Sequence, residues 1–358
     1  MHSCDVLIVG GGPAGSACAW RLRRAGIEAA IVDREVFPRD KICGGWITPR
    51  VLSILEIDAA DYARERILQP ITAFRTGAMG GGDLETRYRE PVSYGIRRRE
   101  FDHFLLVRSG ARVFEGAALD TLERIGDGWM VNESIRTRMV IGAGGHFCPV
   151  ATMLGAKSNR EAAVVAQEVE FAMDAEQIAA CQVRGDTPEL YFCRDLKGYG
   201  WCFRKHDVLN VGLGRADPHR LREHVAEFLR MLRVRIGVDV PAPRGHAYLL
   251  YGSSPRRIQG DGWLLIGDAA GLAYPFSGEG ILPAIESGLL AAEVIASDAA
   301  GDYSRRLAKL FARRAGWVER CGAKMPERIL RLLSPRLLRS KWFAREVVLN
   351  GWFLHSRN

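Results

Sequence analysis

The stretch CDVLIVGGGPAGSACAWRLRRAGIEAAIVDRE, residues 4–35, decides the fold. Val6 to Val9 is a continuous apolar run, the pattern of a parallel strand buried on both faces. Gly10, Gly12 and Gly15 follow as GxGxxG, with Pro13 and Ala14 inside the motif. Apolar residues at Ala17, Trp20 and Leu22 predict a helix that stops near Gly26. Ile27 to Val32 predicts a second strand, and Asp33 stands at its end. Strand, glycines, helix, strand and acid in that order describe a dinucleotide site. The glycines serve a tight turn, close backbone approach to a pyrophosphate and close helix–strand packing. The helix N-terminus offers free N–H groups to the phosphates. Asp33, with Arg34 beside it, is the candidate ribose contact.

The rest of the composition sets bounds. The chain has 358 residues, 47% of them apolar and 26% charged, which suits a soluble protein with one large or two interleaved domains. No apolar run has the length of a bilayer span. The opening MHSCDVLIVGGG carries Asp5 and no basic n-region, so it reads as a first strand, and a cytoplasmic protein is expected. Eight cysteines are scattered without a CxxC pair or a zinc-like Cys/His cluster, so no metal and free thiols are expected. The net charge is +8, with the basic excess in the last third, as in RRLAKLFARRAGWVER and RILRLLSPRLLRSKWFAR. Solvated helix faces account for it, and no nucleic-acid partner is implied. The mixture of Leu, Trp and Phe with Arg and Lys after residue 328, broken at Pro335, is also the composition of short interfacial helices, which raises peripheral membrane contact.

A second nucleotide signature lies far downstream in WLLIGDAAGLAYPFSGEGILPAIESGLLAAEVIA, residues 263–296. A strand turns at Gly267-Asp268, a loop passes Pro275, and a helix opens at Gly278, Gly280 and Ile281. GxGPAG at the start with GDAAG…PFSGEGI near the end resembles the flavoprotein monooxygenase and geranylgeranyl reductase superfamily, with the para-hydroxybenzoate hydroxylase fold. The resemblance implies FAD. It gives Asp268 a ribityl hydroxyl, and it aims the N–H groups at the Gly278–Ile281 helix opening at the flavin pyrimidine edge.

Further motifs extend the likeness. GIRRREFDHFLL contains RxxFD, which implies that Arg98 lies along the FAD. VIGAGGHFCPVATMLG stands where the superfamily has GADGxxSxxR, but Gly144 replaces the aspartate and the serine and arginine are missing. That departure argues against a hydroxylase-style NADPH site. GAGGHF also fails as a second Rossmann loop, because Phe147 takes the third glycine's place and Cys148-Pro149 interrupts the helix start. NAD(P)H would therefore visit transiently, or a reductase partner would bring electrons. His146 is a lone histidine, more often structural than acidic.

Between the nucleotide segments the pattern alternates as in sheets. Residues 71–96 read as strands around Gly80-Gly81-Gly82, and a hairpin turns at Gly126-Asp127-Gly128. Ala117 and Ala118 are small residues expected beside the adenine. From 162 to 250 the segments VVAQEVEFAM, LYFCRD, GYGWCFRK and DVLNVGLG resemble the family's antiparallel substrate sheet. Tyr199, Trp201 and Phe203 alternate and share one strand face. They resemble the YxWxFP motif that lines the lipid tunnel of geranylgeranyl reductases, with Arg204 in place of the proline. FPRDKICGGWITPR, residues 37–50, resembles their KxCGG loop. That implies Cys43 beside the flavin, close backbone approach at Gly44, and Lys41 placing charge near the ring. Cys43 is the candidate catalytic thiol. Halogenase signatures are not met by CGGWITP or YGWCFR.

The expected architecture is α/β: a Rossmann-like FAD-binding domain (1–70, 96–160, 251–303) interleaved with an antiparallel substrate sheet (71–95, 161–250), then C-terminal helices (304–358). The expected activity is reduction of C=C bonds of an isoprenoid or lipid-like substrate by hydride from reduced flavin. The alternative is a monooxygenase acting on an aromatic or polyketide-like substrate through a C4a-hydroperoxide.

Overall fold

The computed structural model describes residues 1–158, 161–252, 256–312 and 337–355. The chain divides into two units, each assembled from three segments. Met1–Asp40, Arg99–Ala163 and Tyr248–Arg313 make the first; Lys41–Arg98, Val164–Ala247 and Arg314–Asn358 make the second.

The first unit is a nucleotide-type sheet. β1 (His2–Val9) pairs in parallel with β2 (Ala29–Val32) on one side and with strand Ile135–Gly142 on the other. Strands Arg112–Phe114 and Trp263–Leu265 extend it in parallel. Leu7, Ile8 and Ile31 have no exposure, as strands covered on both faces require. α1 (Pro13–Arg24) follows β1 at once, with Pro13 at its first turn, where a missing N–H costs nothing. Helix Ile281–Ala296 packs on α1 through Gly288, whose Cβ would stand 2.3 Å from the Ala14 carbonyl oxygen. The second strand is shorter than the sequence suggests, starting at Ala29. Pro149 does not interrupt a helix: it opens the short helix Pro149–Met153, again from the first turn.

The second unit carries a seven-stranded sheet. Its order is Arg244–Leu249, Ala163–Ala172, Val208–Arg215, Gly198–Lys205, Glu189–Phe192, Ala73–Ala78, Asp83–Arg87. Most neighbours are antiparallel, as expected, but Glu189–Phe192 runs parallel to Ala73–Ala78. Those two strands come from distant segments, so no hairpin dictates their direction. Helix Leu221–Ile236 covers one face, and Phe228 fills the space left by Gly200, where a Cβ would be 2.7 Å from its ring.

Two boundaries differ from the sequence reading. The first break falls after Asp40 rather than at 70, because Trp46–Ile47 and Leu68–Ile71 both pair with Ser93–Ile96 in a three-stranded sheet of the second unit. The described C-terminal residues divide between the two units. Leu307 and Phe311, on helix Tyr303–Ala312, are buried in the first unit's core. The wide π-helical turns Phe343–Phe353 belong to the second, with Phe353 fully buried and Asn350 accepting from Tyr88 Oη at 2.9 Å. Most of the basic stretch, including Pro335, lies outside the described residues. Among the described residues no helix is long and apolar enough to cross a membrane.

Candidate functional site

The first unit gathers the glycine loop at the C-terminal end of β1. Gly10 has φ +119°, and a Cβ there would meet the Ala143 carbonyl oxygen at 2.5 Å. Only glycine lets the two crossing chains approach this closely. Gly15 has the matching duty on the helix: its Cβ would stand 2.0 Å from the Gly10 carbonyl oxygen. α1 therefore starts directly against the loop. Gly12 occupies its N-cap with no capping side chain, so its first N–H groups remain available to an anion.

Asp33 is nearly buried and does more than the sequence implied. Its Oδ2 accepts the Gly11 N–H at 2.7 Å and its Oδ1 accepts the Glu35 N–H at 2.9 Å. The carboxylate thus braces the loop while keeping lone pairs for a ribose. Ala117 N–H donates to the Asp33 carbonyl at 2.9 Å, which brings the Ala117-Ala118 turn to the same edge. The Ala118 carbonyl is taken by Asn132 Nδ2 at 2.7 Å. Arg34 points elsewhere: its side chain is 74% exposed and pairs with Glu35.

Arg39 is the residue that sequence reasoning missed. Its Nη2 lies 3.5 Å from where a Gly12 Cβ would be, and 3.1 Å from Asp102 Oδ2. Asp102 is fully buried and closes the RxxFD motif, so that aspartate anchors Arg39 across the chain. Arg39 also stacks over Phe37 at 4.8 Å, while its Nη1 is buried without a hydrogen-bond partner. A guanidinium held at a bare helix N-terminus, with one donor unspent, fits a pyrophosphate. The FPRD sequence was the available signal.

At the other nucleotide signature, Gly267 donates its N–H to Ser287 Oγ at 2.9 Å within the short turn Gly267–Ala270. Asp268 Oδ1 lies 3.1 Å from where a Gly280 Cβ would be, at the uncapped start of helix Ile281–Ala296. Gly278 takes φ +67° and is approached by the Tyr248 hydroxyl. Ile281 is buried at the first turn. Asp268, Gly278, Gly280 and Ile281 thus lie at the start of one helix. Burial first, then Arg256, push the His146 pKa below the ordinary histidine value, which favours the neutral imidazole.

The second unit holds the remaining candidates. Tyr199, Trp201, Phe203 and Lys205 alternate on Gly198–Lys205. The loop Cys43-Gly44-Gly45 lies on this face. A Gly44 Cβ would be 3.4 Å from Phe203 and 3.5 Å from Trp201 Nε1, and a Gly45 Cβ would be 2.4 Å from Lys205 Nζ. Trp201 Nε1 donates to Asn210 Oδ1 at 2.8 Å, and Asn210 Nδ2 donates to the Cys43 carbonyl at 3.2 Å. Lys205, with no exposure, pairs with Glu170 Oε2 at 2.7 Å, and Arg97 reaches Glu170 Oε1 at 3.4 Å. Trp46 meets Phe203 edge-on at 6.3 Å, and Tyr199 meets Phe353 edge-on at 5.3 Å. Cys43 is a half-buried free thiol whose Sγ accepts the Gly45 N–H at 3.5 Å. Lys41 and Arg98 both press on His246, which burial first and their charges second hold down to about 4, so it stays neutral. His246 carried no recognisable signal in the sequence.

Comparison with known proteins gives the family and the fold. The family model described as FAD binding domain matches residues 3–315. A menaquinone reductase of Mycobacterium tuberculosis is 31% identical over 366 residues, covering 94% of this chain and 86% of that protein. A digeranylgeranylglycerophospholipid reductase of Methanocaldococcus jannaschii is 28% identical over 344 residues, covering 88% of this chain and 82% of that protein. Among solved structures, a geranylgeranyl bacteriochlorophyll reductase-like protein of Thermoplasma acidophilum shares the fold. Its TM-score is 0.77 at 22% identity, with 98% of this chain and 96% of that one covered.

Proposed function

Since the chain belongs to the FAD binding domain family and is a geranylgeranyl reductase-like FAD-dependent oxidoreductase, we propose that it reduces carbon–carbon double bonds of an isoprenoid or similar lipid-like substrate. Bound and reduced, FAD supplies the hydride. The protein's part is to hold the cofactor, orient an apolar chain and keep water away. Gly10, Gly12, Gly15 and Arg39 would take the pyrophosphate, Asp33 the adenosine ribose and Asp268 the ribityl chain. The α1 and Ile281–Ala296 helix starts would add N–H groups to an electron-rich ligand.

One observation carries the substrate reading: of the aromatic row Tyr199, Trp201 and Phe203 on one strand face, Trp201 and Phe203 lie against Gly44 of the Cys43-Gly44-Gly45 loop, with Trp201 fixed by Asn210. A flexible polyprenyl chain suits such a surface, because aromatic faces offer area without directional demands. The names of the two relatives, a menaquinone reductase and a digeranylgeranylglycerophospholipid reductase, point to polyprenyl lipids as well. Cys43 would stand at the reacting edge of that surface. Electrons would come from NAD(P)H visiting transiently or from a reductase partner.

The test is a reoxidation experiment. The FAD-loaded protein is reduced anaerobically and mixed with a geranylgeranyl lipid, a menaquinone, or oxygenated buffer containing an aromatic substrate. Fast anaerobic reoxidation by a polyprenyl compound, with a saturated product by mass spectrometry, is expected. Oxygen-dependent hydroxylation, with no anaerobic reoxidation, would replace this reading by the monooxygenase.

A further inference from the structure

Glu168 is a buried carboxyl group that the scheme above does not use. It stands on strand Ala163–Ala172 in the same cross-strand row as Gly212 and Trp201, and is 3% exposed. Gly212 has no side chain because a Cβ would meet the Trp201 ring at 2.3 Å and the Glu168 Cβ at 2.6 Å. The indole therefore lies across the glycine against the glutamate stem. The groups facing the carboxyl are Lys205, Glu170, Asn210 and the Cys43 main-chain N–H. One row further along, Glu170 takes Lys205, Arg97 and Asn210 as partners. Glu168 Oε2 is buried and makes no hydrogen bond. Two neighbouring carboxyl groups are thus treated differently. Glu170 receives the cations; Glu168 faces the Cys43 loop with one oxygen unspent.

Electrostatics agree with that geometry. Burial pushes the Glu168 pKa up to about 7, with Lys205 opposing, Glu170 adding to the rise, and the Cys43 N–H and Asn210 opposing. A carboxylic acid that keeps its proton at neutral pH is suited to general acid work.

We propose that Glu168 is the internal acid of the reduction, supplying the proton that accompanies the hydride. This rests on the reductase reading. The hydride brings an electron pair to one carbon of the double bond and the π bond opens. The other carbon takes the proton as the Glu168 O–H bond breaks. The substrate is reduced, the bound reduced FAD is oxidised, and water reprotonates the carboxylate. Lys205 and the Cys43 N–H stabilise the carboxylate between turnovers.

The test follows anaerobic reoxidation of dithionite-reduced, FAD-loaded protein by a geranylgeranyl lipid in micelles across pH, for wild type, E168Q and E168D. The wild-type rate is expected to fall as pH rises through about 7, where the acid is lost. E168Q, judged intact by its FAD content and dithionite reduction, is expected to slow about 100-fold and lose that limb. E168D keeps an acid and retains the limb with a partial rate. Infrared pH-difference spectra of the holoprotein supply a readout without substrate: a protonated-carboxyl band titrating near pH 7 in wild type and absent in E168Q. E168Q with wild-type rate and pH profile overturns the proposal. If E168Q does not hold FAD, loss of the limb in E168D overturns it. A wild-type protein with the infrared band that no polyprenyl compound reoxidises removes the reductase reading and, with it, this role for the acid.

Discussion

Gly15 shows how little room the nucleotide loop leaves. A methyl group there would sit 2.0 Å from the Gly10 carbonyl, so α1 would have to move off the loop. Gly15→Ala is expected to cost about 2 kcal/mol of stability and to yield largely FAD-free protein, measured by thermal unfolding and by flavin absorbance per chain. Arg39 makes a different prediction. It touches the loop from outside and is anchored on buried Asp102. Arg39→Lys keeps a cation for buried Asp102 but loses the planar fork, and should weaken FAD about 10-fold by fluorescence titration of the apoprotein. Unchanged affinity would remove Arg39 from the pyrophosphate. The glycines were legible because a motif with flanking strands names them. Arg39 was not, since an arginine in a loop has no periodicity and its partner Asp102 lies on a helix far along the chain.

At the scale of the element, the row Glu168–Gly212–Trp201 and its neighbour Glu170–Asn210–Phe203 lie on one face of the sheet. Period-two alternation disclosed the aromatic members of that surface from one strand alone. It did not disclose the register that sets Glu168 against Trp201, because register depends on which strands pair. Lys205→Met removes the cation that favours ionised Glu168 and strips Glu170 of its main partner, and both changes raise the Glu168 pKa. The basic limb of the pH–rate profile should therefore move to higher pH in K205M; movement to lower pH would contradict the electrostatic account. Gly212→Ala should dislodge the Trp201 ring and cost about 2 kcal/mol, read from urea unfolding.

For the whole molecule, Glu168 ties pH to stability. Its folded pKa, about 7, stands above the ordinary 4.5. The folded state then holds the proton more tightly, so stability is lost as pH rises from about 4.5 through about 7. The loss approaches about 3 kcal/mol for a shift of this size. Glu168→Gln is neutral at every pH and is expected to escape it. Its unfolding free energy should exceed that of wild type at pH 8 relative to pH 5, in urea titrations at both values. Parallel pH dependence in the two proteins would show that Glu168 ionises as freely folded as unfolded.

The amino-acid sequence by itself determined the nucleotide unit and the cofactor class. Glycine spacing, an acid at a strand end and a helix start are local features, and local sterics and dipoles act over a few residues. It also determined that Tyr199, Trp201 and Phe203 share a face. Tertiary structure alone decided where the chain changes units: residues 41–70 join the second because their strands find partners at Ser93–Ile96. It alone buried Phe311 and Phe353, from the C-terminal stretch, in the core of one unit and of the other. And it alone separated Glu168 from Glu170, two acids with the same local sequence pattern, because burial and the placement of one lysine belong to packing between strands distant in the chain.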